Sequence, residues 1–171
     1  MKIQPIVKEP APILHEKAVP VTEITQEIRE LIPVMIDTMH AAEGVGLAAN
    51  QIGVKWHVLV ASPDGDRGKE IALINAEIVE RTGRNTSPEG CLSLPGVSSD
   101  VTRSAGVTVR GLNPEGKQVT IQATGLLARI LQHEVDHLDG HLFVDRLWPL
   151  GRRSVLAQYQ KLADQLKRVK I

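Results

Sequence analysis

Aromatic side chains are nearly missing from this chain of 171 residues, which has one Phe, one Tyr and two Trp. Its core must therefore be built from Val, Ile, Leu and Ala, and stacking platforms for single-stranded nucleic acid are nearly absent. Cysteine is scarcer still. Cys91 stands alone, which rules out an internal disulfide and agrees with a reducing compartment. A single cysteine can be buried filler, a nucleophile or a metal ligand, and composition does not choose among them. Charge of one sign is lacking too: 20 basic residues balance 20 acidic ones, so no DNA partner is expected. No apolar run approaches a membrane span, and the start M-K-I-Q-P-I-V-K-E-P has no apolar stretch of the signal-peptide kind. What is present is ordinary for a globular protein, at 42% hydrophobic and 23% charged residues. The length suits one domain over residues 1–171.

Pro5, Pro10, Pro12 and Pro20 predict an extended start with one short turn near Ile13–Lys17. A helix is expected from Thr22 or Thr25, both good N-caps, to about Glu43. Ile28, Leu31, Ile32, Met35, Ile36 and Met39 follow at spacings of three and four and form its buried stripe. Pro33 inside it should kink the helix or leave a carbonyl unpaired. Gly44-Val45-Gly46 ends the helix, and 47–51 reads as a loop or short extended piece. Strands are predicted at Trp56–Ala61, Glu70–Asn75, Ala76–Arg81, Val97–Thr102, Gly106–Leu112 and Lys117–Ala123, with a hairpin turn at Asn113-Pro114-Glu115-Gly116. A second helix should run from Gly125 to about Leu138, capped by Thr124 and closed by Gly140, and a third over Arg152–Val169. This order predicts an α+β fold, with mixed or antiparallel strands packed around a central helix and a helix at each end.

That central helix carries Q-H-E-V-D-H-L-D-G. His133 and His137 lie four apart, on one helical face, where both imidazoles can bind one metal ion. Glu134 points beside the metal, placed to move a proton to and from water whose pKa the metal lowers to about 7. The third ligand decides the subtype. One group of zinc peptidases takes a later histidine, but Phe143 stands there and His141 is out of register. Others take a later glutamate, and none follows Glu134. Asp145 is a weak candidate. Cys91, in P-E-G-C-L-S-L-P, is the better donor, giving a Cys-His-His set with one tetrahedral position open to water. His15, His40, His57 and His141 have no partner at ligand spacing and are read as surface or satisfied residues.

With these residues in hand the chain resembles the peptide deformylase family. Three separated motifs carry the resemblance in order: Gly44-Val45-Gly46-Leu47-Ala48-Ala49-Asn50-Gln51, Glu89-Gly90-Cys91-Leu92-Ser93 and Gln132-His133-Glu134-Val135-Asp136-His137. The similarity runs from the N-terminal segment to about Trp148. It implies hydrolytic removal of the N-formyl group from the starting methionine of new polypeptides, releasing formate. It implies one divalent ion on Cys91, His133 and His137, with Fe(II) native and Zn, Ni or Co able to replace it. Glu134 is implied as general acid/base, with Gln51 and the Leu92 backbone N–H as oxyanion donors. Gly46 is implied to pair with the substrate backbone. Val45, Leu126, Ile130 and the flank of His133 are implied to line the methionine pocket, with Arg129 at its rim. A cytoplasmic, bacterial-type location follows from the same resemblance.

Three departures stand out. Ser98 and Ser99 occupy a region where many relatives carry an arginine that helps hold the peptide, His15 replaces a common arginine, and Pro33 is unusual. Arg103 does match a frequently basic position that bears on peptide affinity. Beyond Trp148, Arg152, Arg153, Lys161, Lys167, Arg168 and Lys170 face Asp164 alone. Some bacterial relatives contact the ribosome through such a helix, and a basic helix suits an RNA surface. The alternative is a solvated amphipathic helix with Val155, Leu156, Tyr159, Leu162 and Leu166 packed inward. A metallopeptidase and a metal-binding protein without catalysis remain the competing functional classes.

Overall fold

The computed structural model describes residues 2–169; Lys170, counted above with the basic residues, lies outside them. Three helices and seven strands follow in the order α1 (Gln26–Ala41), β1 (Gly46–Ala48), β2 (Val58–Ala61), β3 (Ile71–Thr82), β4 (Asn85–Cys91), β5 (Leu94–Arg103), β6 (Gly106–Leu112), β7 (Gln118–Thr124), α2 (Gly125–Leu138) and α3 (Pro149–Val169). Five strands form one antiparallel sheet in the order β1-β2-β3-β6-β7, and β4 pairs only with β5. The fold is α+β, as expected.

The sheet is covered on both faces where β1 and β2 lie. Leu59 and Ala61 pack with Leu131, Val135 and Leu138 of α2, while Val58 and Val60 pack with Ile28, Ile32, Met35 and Met39 of α1. Alternate residues of a strand face opposite sides, so a strand buried on both reads as the unbroken apolar run V-L-V-A. Burial on two faces is what fixes α2 in the middle of the molecule. A third core, with Leu14, Leu94, Val101, Phe143, Val155 and Tyr159, ties the β4–β5 hairpin to α3.

Helix α1 begins at the Thr25 cap, whose hydroxyl accepts from Ile28 N. Pro33 is accommodated inside it because it sits on the solvent face, where the carbonyl it leaves without a donor can be hydrated. Several expectations need correction. The two strands divided between Asn75 and Ala76 are one strand, β3, with bulged pairing to β6 between Ile74 and Glu77. Asn75 takes φ 54° there, a left-handed conformation Asn tolerates, and its amide clamps Val21 through N–H to Oδ1 at 2.9 Å and Nδ2 to O at 2.8 Å. Segment 47–51 is β1 followed by a 3₁₀ turn, Ala49–Ile52. The stretch before Cys91, absent from the predicted strands, is strand β4. Its Pro88 is tolerated because β4 has a free edge. In α3, Val155 and Tyr159 are buried as expected, but Leu162 and Leu166 are exposed.

Candidate metal centre

Helical spacing turns His133 and His137 to one side of α2, and their Nε2 atoms stand 3.1 Å apart. The β4–β5 hairpin brings Cys91 to them, with Sγ 3.2 Å from His137 Nε2. All three donor atoms lie within 4.8 Å of one another, and among the described residues this is the group of three able to hold a metal ion. Tetrahedral metal–nitrogen and metal–sulfur bonds imply edges of about 3.3–3.6 Å between donors. The His133–His137 and Cys91–His137 spacings come within a few tenths of an ångström of that, and a thiolate with two imidazoles is a donor set that fits a divalent ion. Asp145, the weak alternative, is engaged elsewhere: it accepts from Leu142 N at 2.8 Å and pairs with Arg152 at 3.0 Å.

Electrostatics agree with a cation site. Burial pushes the Cys91 thiol up, but the His137 and His133 imidazoles beside it prevail and hold it well below its ordinary value. Burial lowers His133, yet Cys91, Glu89 and Glu134 raise it well above the usual imidazole range. A thiolate that draws protons onto its neighbours is one a metal ion satisfies, because binding displaces those protons.

Glu89 organises the ring. Its Oε1 accepts from His133 Nδ1 at 2.6 Å, which leaves Nε2 for the ion. The same carboxylate receives Arg103 Nε at 2.9 Å and Arg129 Nη1 at 2.8 Å. Arg103 Nη1 continues to Asp136 Oδ2 at 2.8 Å, which also accepts from Arg146 Nε at 2.9 Å. Burial raises Glu89, but Arg103 and His133 hold it far below the ordinary carboxylate range.

Glu134 faces the other way. It is buried, its Oε2 has no hydrogen-bond partner, and burial raises its pKa although the two imidazoles oppose the shift. Gly46 makes room for it: a Cβ there would overlap Glu134 Oε1 and approach Ile130 Cγ2 to 2.7 Å. Gln51, on the 3₁₀ turn after β1, accepts from Ala48 N at 2.9 Å. Its Nε2 donates to Ser93 Oγ at 3.2 Å and lies 3.6 Å from Cys91 Sγ. The N-terminal segment straps both loops. Val7 N donates to Gln51 O at 2.7 Å, Lys8 Nζ to Leu92 O at 2.6 Å and Glu9 N to Ser93 O at 3.0 Å.

A cavity of about 600 Å³ opens onto this cluster, and Val45, Gly46, Leu92, Leu126, Arg129 and Ile130 are among its lining residues. Val45 and Leu126 are exposed at its mouth and Ile130 is buried at its wall. Residues 3–153 match the polypeptide deformylase family model. The chain belongs to the peptide deformylase family. Its sequence is 48% identical over 155 residues to the peptide deformylase of Halothermothrix orenii, covering 91% of this chain and all of that one. It is 47% identical over 153 residues to that of Thermomicrobium roseum, with 86% and 87% covered. The crystal structure of the Legionella pneumophila peptide deformylase superposes with a TM-score of 0.92 at 42% identity, covering 97% of this chain and 98% of that one.

Every residue singled out for the site except His137 lines this one cavity, and His137 stands against Cys91 and His133 beside it. They come from β1 and Val45 before it, the 3₁₀ turn, the end of β4 with Leu92 after it, and α2. Three partners of the site carry no role in the sequence reading. Glu89 and Asp136 stand there only as motif letters, and Arg103 only as a basic position that bears on peptide affinity. The guanidinium of Arg129, placed at the rim, is held by Glu89, by Val101 O at 2.9 Å and by Asn85 O at 3.0 Å. A carboxylate in a motif next to a metal donor is the available signal, since a ligand imidazole needs a fixed second nitrogen.

Proposed function

We propose that this chain hydrolyses the formyl amide of N-formylmethionyl polypeptides, with Glu134, Gln51 and Leu92 doing the chemistry around a metal held by Cys91, His133 and His137. The observation that carries the reading is the buried, unpartnered Glu134 oxygen beside that Cys-His-His cluster. The reaction adds water across the amide bond, hydroxyl to the formyl carbon and a proton to the leaving amine. A bound divalent ion supplies Lewis acidity and lowers the pKa of water at its open position to about 7.

Glu134 takes the water proton on its free oxygen and returns it to the amine nitrogen; its raised pKa suits both halves of the transfer. Gln51 Nε2, held by its Ala48 and Ser93 contacts, and the Leu92 N–H meet the formyl oxygen as it gains charge. β1 is the edge of its sheet, and its Gly46 lines the cavity, so an extended peptide can add beside it by backbone pairing that ignores side-chain identity. Val45, Leu126 and Ile130 offer the methionine side chain an apolar wall, with the stem of Arg129 at the rim.

The finer assignments belong to the same reading. Fe(II) is the native ion, and a thiolate with two imidazoles also accepts Zn, Ni or Co. The substrates are nascent polypeptides met in the cytoplasm of a bacterial-type cell. Residues 1–171 act as one catalytic domain, a reading supported by the sheet packed between α1 and α2 and by the core that ties α3 to the β4–β5 hairpin. The exposed basic face of α3 touches the ribosome. Among the described residues, no helix is long and apolar enough to cross a membrane.

Formate release from formyl-Met-Ala-Ser by anaerobically purified protein tests the chemistry. Glu134→Gln should lose about 10²–10⁴-fold in rate while keeping its metal. A near wild-type rate in that variant, or internal peptide cleavage in place of formate release, would sink the proposal.

A further inference from the structure

Between the β3–β4 turn, the end of β5 and α2 is a small pocket of about 220 Å³ that the deformylation chemistry does not use. Four arginines line it, Arg81, Arg84, Arg103 and Arg146, with Asp136 as the sole acidic residue among the lining residues. We propose that this pocket binds a phosphate-class oxyanion, with Arg81 and Arg84 as its principal ligands.

The four arginines come from four places in the chain. Arg81 lies near the end of β3, Arg84 in the turn to β4, Arg103 at the end of β5 and Arg146 in the 3₁₀ turn Phe143–Arg146. Two of them are already committed. Arg103 is buried, donating to Glu89 and Asp136, and Arg146 grips both oxygens of Asp136. These contacts use up the Asp136 carboxylate and fix Arg103 and Arg146 in place. Arg81 and Arg84 are exposed, and neither has an ion pair among the described residues.

The acidic residues nearest in sequence do not neutralise them. Glu80 sits next to Arg81 on β3, but alternation sends it to the opposite face, where it accepts from Thr108 Oγ1 at 3.2 Å. Glu89 is turned inward to Arg103, Arg129 and His133. Like charges are thus gathered in a concavity with no counter-charge left for two of them. Ser104 also lines the pocket, its backbone N–H held by Gln132 Oε1 at 3.0 Å. Planar guanidiniums, each with paired donors, match tetrahedral oxyanions bidentately.

Inorganic phosphate and an RNA phosphodiester backbone present the same chemistry, and two titrations of the metal-loaded protein distinguish them. In the first, inorganic phosphate is followed by calorimetry and by backbone amide shifts. Saturable binding with shifts at Arg81, Arg84 and Ser104 is expected, weakened at least tenfold in the Arg81→Ala/Arg84→Ala protein. Formate release from formyl-Met-Ala-Ser should be unchanged in that variant, because neither residue lines the catalytic cavity. Arg81→Lys/Arg84→Lys, which keeps charge but not the paired donors, should fall between. In the second, a short RNA that displaces phosphate in wild type identifies the phosphodiester source, and phosphate binding without displacement identifies the free anion. No saturable phosphate binding, equal affinity in the double-alanine protein, or shifts confined to Cys91, His133 and His137 would overturn the proposal. Each of these outcomes can occur with deformylation intact, so failure here is separable from failure of the catalytic reading.

Discussion

Glu89 and His133 are joined by a 2.6 Å hydrogen bond from imidazole Nδ1 to carboxylate Oε1, and this one contact sets which nitrogen faces Cys91 and His137. In the neutral ring that a metal ion requires, donation from Nδ1 leaves Nε2 with its lone pair. The carboxylate is in turn fixed by Arg103 and Arg129, so ring orientation passes from the β4–β5 hairpin to α2.

Glu89→Gln is therefore expected to weaken metal binding by about 10–100-fold, measured by competition with a chromophoric chelator. The amide can still accept from Nδ1, but it no longer holds its charge against two arginines. Affinity unchanged from wild type would show that His133 is oriented by packing alone.

Arg103 is enclosed between Glu89 and Asp136, with all three side chains buried. Arg103→Leu removes the cation and leaves two carboxylates without it in a low-dielectric interior. Breaking a buried pair in this way costs about 3–5 kcal/mol, more than deleting an exposed charge. The urea midpoint should fall accordingly with little change in slope. A loss within the range of an exposed ion pair, below about 1 kcal/mol, would contradict the network as described.

Periodicity and the Thr25 cap account for α1, and the bounds expected for α2 and for the hairpin strand β6 hold although Thr124 makes no side-chain capping bond. Local motifs account for the Cys-His-His cluster. What the sequence hides depends on contacts remote along the chain. β4 reads N-T-S-P-E-G-C, polar and interrupted by Pro88, and becomes a strand only because β5 lies beside it. β3 reads as two strands because Asn75 adopts a left-handed φ that Val21, on a different segment, stabilises. The Glu89–Arg103–Asp136–Arg146 chain links four segments, and no local spacing announces it. Leu162 and Leu166 fit an inward stripe by period, yet the core that receives α3 ends near Tyr159.

Metal removal should be visible in stability as well as in rate. The donors come from β4 and α2, so an ion binding only the folded chain adds RT ln(1 + [M]/Kd), about 4 kcal/mol at a thousandfold excess over Kd. Chelation is expected to lower the urea midpoint of the wild type and to leave that of Cys91→Ala nearly unmoved. Equal shifts in both proteins would place the stabilising ion somewhere other than this cluster.

Gly46 offers the sharpest steric test of the site. The space a Cβ would need is already taken by the Glu134 carboxylate and the Ile130 side chain. Gly46→Ala must push one of them aside, and overpacking of this kind typically costs about 1–3 kcal/mol. Displacing Glu134 moves the group proposed above to transfer the proton. If that strain appears in the transition state, kcat/KM falls by about 10–100-fold, since about 1.36 kcal/mol is tenfold in rate. Metal content should be preserved, because none of the three donor side chains lies among the atoms that such a Cβ would meet. A variant with full activity would mean that Ile130 alone yields and that Glu134 is not held by the glycine. The ratio of Gly46→Ala activity in Ile130→Val to that in the Ile130 parent separates the two, because the smaller side chain relieves one clash and leaves the other.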